Sequence, residues 1–172
     1  MAGKSVTERE VVEWFLDRVN QGEGVDDWPA AIDRAIAVRK DRAEWRDFAM
    51  EIAPTLSTAT GAVRTRSVLS PTSWGVMTTT HVLDGWDAER AGPGTERYAM
   101  QLILDEARPY GAHLGKCQVC DLYFLAPERT GPGSKATEYC SESCREVGKT
   151  KKTLERVKAH RARMKQATRK PR

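Results

Sequence analysis

Four cysteines constrain this chain of 172 residues more than any other feature: Cys117, Cys120, Cys140 and Cys144 form two close pairs, C-x2-C and C-x3-C, 19 residues apart. Two residues between cysteines turn both thiolates toward one cation. A second close pair completes the tetrahedron that Zn²⁺ accepts from four thiolates. A disulfide framework would spread its bridges through the fold and would need an oxidising compartment. Here the first 116 residues contain no cysteine. Iron–sulfur clusters are also cysteine-bound, but usually at other spacings. The expectation is one structural zinc ion.

The residues between the pairs suggest how the ligands meet. Leu122 to Leu125 is a short β-prone run, and Pro127 with Gly131-Pro132-Gly133 supplies a turn. Thr137-Glu138-Tyr139 leads back to the third ligand. The order is knuckle, hairpin, then a helix beginning at Cys140 with Ser141 as a cap. Cys140 and Cys144 would then lie in its first turn, where the helix dipole favours anionic thiolates. This is the order of a treble-clef finger.

The run K-C-Q-V-C-D-L-Y-F, the later Y-C-S-E-S-C-R and the Lys/Arg-rich segment after it resemble the CGNR-type zinc fingers of bacterial proteins. Those proteins carry an amino-terminal helical domain, called ABATE, of about the length seen here. The match spans residues 114 to 165, and the layout covers the chain. The family's Cys-Gly-Asn-Arg is here Cys144-Arg145-Glu146-Val147, and its basic pair before the third cysteine is here Thr137-Glu138. The resemblance, to that family or a broader treble-clef set, implies a DNA-binding transcription regulator.

Charge points the same way. The net charge of +4 divides into +10 over Arg145 to Arg172 and −6 over the preceding residues. An acidic body with a basic tail suggests a polyanion as partner, most simply nucleic acid. In the tail, Arg145, Lys149, Lys151, Lys152, Arg156, Lys158, Arg161 and Arg163 are the candidate phosphate contacts. Arg145, Lys149, Lys152 and Arg156 recur at three- or four-residue steps and share a helical face. Val147, Leu154, Val157 and Met164 form a thin apolar stripe at intervals of seven, three and seven. Such contacts give affinity without reading bases. No aromatic residue is interleaved for stacking on single strands, so duplex DNA is the expected partner.

The rest reads as a helical body. Thr7 to Asn20 has an apolar stripe of Val11, Val12, Phe15, Leu16 and Val19, a capping box of Thr7 with Glu10, and Gly22 and Gly24 beyond its end. A second helical stretch opens at Asp27-Trp28-Pro29. It runs to Pro54, as one helix or as two with a break near Asp41. Residues 55 to 94 stay undecided: Val68-Leu69 and Val76 to Leu83 suit short strands or a helix. Gly92-Pro93-Gly94 reads as a turn, and Thr95 to Arg108 as a helix closed by Pro109. All five tryptophans precede residue 87 and are assigned to the core or rim of this body.

The architecture expected is therefore mainly α. It comprises a helical domain over 1–110, a small treble-clef zinc finger of hairpin and helix over 111–150, and a basic helical tail over 151–172. No run of about 18 apolar residues suggests a membrane span. Met1 to Ser5 leads into a polar helix with no apolar leader, so a cytoplasmic protein is expected, nucleoid-associated if it binds DNA. Catalysis is not expected. Four thiolates close the metal's shell, His113 is the only histidine near the ligands, and His81 and His160 have no partner spacing. There is no H-E-x-x-H, no G-x-S-x-G and no phosphate loop. The other reading is a protein–protein interaction module built on the same finger, with a protein partner or a second copy held by the helical body.

Overall fold

In the computed structural model, which describes residues 6–23, 28–56, 65–71, 77–83, 86–89, 91–108, 110–127 and 138–168, a two-residue strand β1 (Val6–Thr7) leads into α1 (Glu8–Gln21). The capping box forms: Glu10 N donates to Thr7 Oγ1 at 3.3 Å, and Thr7 N donates to Glu10 Oε2 at 2.7 Å. Gly22, at φ 73°, ends the helix in the left-handed conformation that glycine adopts without strain. The apolar stripe from Val11 to Val19 is buried and forms the centre of the core.

The second stretch is two helices. α2 (Trp28–Val38) and α3 (Arg42–Leu56) are separated at Asp41, whose Oδ1 accepts from Ala43 N at 2.9 Å and Glu44 N at 3.2 Å. A side chain that satisfies the first free amides of a helix restarts it, so one long helix loses to two. Pro54 does not stop α3 but lies in its last turn. Asp27, at which the sequence opens this stretch, falls outside the described residues.

The undecided stretch contains two strands, β2 (Thr65–Pro71) and β3 (Met77–Leu83). They pair antiparallel, from Thr65 opposite Leu83 to Pro71 opposite Met77, and β1 joins the far edge of β3 with Val6 opposite Leu83. α4 spans Pro93–Leu104. This corrects the reading of Gly92-Pro93-Gly94 as a turn followed by a helix to Arg108. Gly92 is the N-cap and Pro93 opens the helix, a position where the missing N–H costs nothing. After α5 (Tyr110–His113) come β4 (Leu114–Lys116) and β5 (Tyr123–Leu125), an antiparallel pair, and then the long α6 (Glu142–Thr168). The molecule is thus mainly helical, with a small two-stranded sheet beside a four-cysteine cluster. No helix among the described residues is long and apolar enough to cross a membrane.

One core cluster unites these elements. Phe15, Ile32, Phe48, Met100 and Ile103 are almost fully buried in it, together with Trp28 and Trp45. Trp14 and Trp86 pack edge to face at 5.7 Å on its rim, while Trp74 lies outside the described residues. The inner face of the β4–β5 hairpin belongs to the same cluster through Leu114, Tyr123 and Leu125. Its outer edge is satisfied by the body. Asn20 Nδ2 donates to Tyr123 O at 2.9 Å and its Oδ1 accepts from Tyr123 N at 2.8 Å, so one side-chain amide takes the place of a neighbouring strand. Arg9 donates to the Leu125 and Ala126 carbonyls, and Lys116 pairs with Asp33 at 3.0 Å.

Candidate metal centre and the helix it anchors

Cys117 follows β4 directly. The chain then turns tightly: Cys117 N donates to Leu122 O at 2.9 Å and Asp121 N donates to Cys117 O at 3.0 Å. Asp121 closes the turn at φ 59°, a left-handed conformation that short polar side chains tolerate. Cys117 is buried and Cys120 exposed. The second pair stands at the root of α6. The helix begins at Glu142, two residues later than expected, because Ser141 caps it, its Oγ accepting from Cys144 N at 3.2 Å. Cys140 therefore precedes the cap, and Cys144 alone of the pair is helical. A bond from Gln118 N to Glu138 O at 3.1 Å ties the two ligand segments together.

The four sulfurs lie within 4.8 Å of one another, close enough to hold one metal ion. Cys120 to Cys140 is 3.5 Å, Cys140 to Cys144 is 3.7 Å and Cys120 to Cys144 is 3.9 Å. A tetrahedron of zinc–sulfur bonds of about 2.3 Å has edges of about 3.8 Å, so the site is already of the right size. All four are free thiols. His113 is not in the group.

The thiols differ in acidity. Burial pushes Cys117 up, but backbone N–H groups of Cys120, Cys140 and Val119 outweigh it and bring this thiol to about 6. The backbone at Leu122 favours the Cys120 thiolate, yet burial and the hydrogen bond with Cys117 raise its pKa overall. Burial, then the thiols of Cys120, Cys117 and Cys144, push Cys140 up to about 12. Of these three thiols Cys117 is the most acidic. Metal binding here releases protons.

Comparison of the chain with family models, curated proteins and solved structures returns no match. The geometry of the site must carry its own interpretation.

All eight cations singled out in the tail lie on α6, at exposed positions. The structure does not bring all of them together. At about 100° per residue, Arg145, Lys149, Lys152, Arg156 and Arg163 form one stripe. Lys151, Lys158 and Arg161 lie away from it. Lys152 has a second employment: it bonds Glu138 Oε2 at 2.6 Å and sits 5.6 Å from the Tyr139 ring centre. The Glu138 hydrogen bond, and then Tyr139, raise its pKa.

Sequence reasoning missed the clasp at the base of α6. An ideal Cβ on Gly148 would stand 2.3 Å from Tyr139 Cε1 and 2.5 Å from Cζ, so the ring fits only over a bare backbone. The available signal was a glycine inside an otherwise strong helix former, a choice that costs about 1 kcal/mol against alanine. Gly148→Ala should reverse that rule. It is expected to lose ~1–3 kcal/mol of local stability by overpacking and to speed metal transfer to a colorimetric chelator several-fold. An unchanged transfer rate would show that Tyr139 does not clamp the helix root.

Proposed function

We propose that this chain is a nucleic-acid-binding protein, a DNA-binding transcription regulator, in which a single structural zinc ion fixes a basic helix to a helical body. One observation carries the reading: five cations stand on one face of an exposed helix whose root is a four-cysteine cluster. Four thiolates fill the coordination shell of zinc and leave no position for substrate, so the ion holds structure. The reading as a treble-clef finger like the CGNR type draws support from a cysteine knuckle at the tip of the β4–β5 hairpin and a second cysteine pair at the root of α6. The arginines and lysines of α6 contact phosphates, and the body positions the helix.

The test is a titration of the full chain, with zinc content measured on the same sample, into fluorescent duplex DNA. Five phosphate contacts predict an affinity loss of about 10²–10³ between 50 and 200 mM salt. Lys149→Glu with Arg156→Glu and Arg163→Glu should weaken binding at least about a hundredfold, judged by the same counterion argument. These three spare Lys152, which also holds the finger. Equal binding by this variant, or no binding by the native chain at low salt, overturns the proposal.

A further inference from the structure

The helical body holds a cavity of about 310 Å³ where the start of α3, the end of α4 and α5 meet. That is the small end of the range of about 300–1,000 Å³ typical of ligand sites. Its apolar lining is Trp45 and Ile103, both of which belong to the core. This lining is fixed in place. The Trp45 ring packs against Phe48 at 6.3 Å. An ideal Cβ on Gly111 would lie 2.5 Å from Ile103 O and 2.6 Å from Trp45 Cη2, so α5 seats bare backbone directly on the indole. At the rim, Arg39 donates to the Leu114 carbonyl at the start of β4. Walls held in this way keep their shape without a ligand, and a preformed site loses little entropy on binding.

Charge decides what the cavity takes. Arg39, Arg42 and Arg108 line it together with two carboxylates, Asp105 and Glu106. Arg108 is held by Glu8 and by Asp105, and Glu106 pairs with Arg46 at 3.1 Å. Both carboxylates are thus already matched. The Arg42 side chain is exposed and makes no hydrogen bond or ion pair among the described residues. Its guanidinium offers planar N–H donors beside an indole-lined hollow.

We infer that this cavity binds a small aromatic carboxylate, with its ring against Trp45 and Ile103 and its carboxylate on Arg42. A guanidinium pairs with a carboxylate through two parallel N–H···O bonds, and an aromatic ring packs well against indole. The volume suits a single ring. A dianion such as a phosphate ester is disfavoured, because Asp105 and Glu106 share the lining and would repel the second charge. The cavity contains neither the cysteines nor any residue of α6, so it stands or falls apart from the DNA-binding reading.

The experiment follows amide and indole N–H resonances of the isotope-labelled, zinc-loaded full chain. The probes are benzoate and its neutral amide, benzamide, at ionic strength held constant with sodium chloride. Benzoate is expected to give saturable shifts at the Trp45 indole and at Ile103, Gly111 and Ala112. The expected Kd is about 1 mM, within the binding energy per heavy atom open to so small a ligand. Benzamide should bind at least about tenfold more weakly, since it lacks the charge-assisted bonds. Arg42→Gln, which puts a good helix former at an exposed position, should weaken benzoate about tenfold. Lys40→Gln removes the same charge from an exposed residue outside the cavity lining and should leave binding unchanged. Shifts confined to α6, equal binding of acid and amide, full affinity in Arg42→Gln, or no saturation by about 20 mM overturns the site.

Discussion

Cys140→Ala is expected to purify without bound zinc and with α6 melted, while α1, α4 and the β4–β5 hairpin remain folded. The reason is how the ligands are shared. Cys117 and Cys120 stand on a hairpin whose inner face lies in the main core and whose edge is bonded to Asn20. Cys140 and Cys144 stand at the root of a helix whose residues 149–164 are exposed throughout. A solitary helix of this kind is marginal in water, because its nucleation is costly and the described packing is confined to the Tyr139–Gly148 clasp at its root. Structural zinc contributes ~10–16 kcal/mol of apparent binding energy in small finger peptides. Loss of that term releases α6 rather than the body. Hydrogen exchange should show protection lost over 138–168 and kept over 8–21 and 114–125. One zinc per chain with α6 still protected would refute the clamp. Acid should act on the native chain as the substitution does. Protons compete with the metal for the four sulfurs, so the clamp is expected to hold at neutral pH and to be lost as pH falls.

The second large effect is expected inside the body. Glu8 is 3% exposed, accepts from Tyr98 Oη at 2.9 Å and pairs with Arg108, which also bonds Asp105 at 3.1 Å. Glu8→Ala leaves a partly buried guanidinium without its closest anion and a hydroxyl without its acceptor. Breaking one side of such a pair costs ~3–5 kcal/mol, which lowers Tm by roughly 10 °C in a chain of this size. Replacing both partners, Glu8→Leu with Arg108→Met, should restore most of the loss. A single variant that melts within about 3 °C of the native chain contradicts this account. The same cluster sets an alkaline limit. Burial, then the Glu8 carboxylate, hold the Tyr98 hydroxyl well above the ordinary phenol range. A raised folded-state pKa contributes stability below the unfolded value, and that contribution falls as pH rises past about 10.

Local signals were legible wherever the sequence carries its own partner. Thr7 and Glu10 satisfy each other three residues apart, and Asp41 caps the helix that follows it. The cysteine spacing placed four ligands in one cluster without knowledge of the fold. What was not legible depends on distant partners. β2 and β3 could not be told from a helix, because β3 is completed by Val6 and Thr7, more than 70 residues earlier. Pro93 reads as a breaker until the N-cap before it is seen. Asn20 looks like the polar end of a helix, and nothing nearby marks it as the neighbour of Tyr123. The Tyr139–Gly148 contact joins residues nine apart whose closeness depends on where Ser141 starts the helix.

The Asn20 link has a mechanical consequence. A side-chain amide welds α1 to β5, β5 pairs with β4, and the cysteine knuckle carries that frame to the root of α6. At 1.5 Å per residue the 27 residues of α6 reach about 40 Å. A rotation of about 10° at the root sweeps the far tip through about 7 Å, two base-pair steps along one DNA strand. A repacking of α1 too small to disturb its own core would thus be read out, magnified, at the end of a lever.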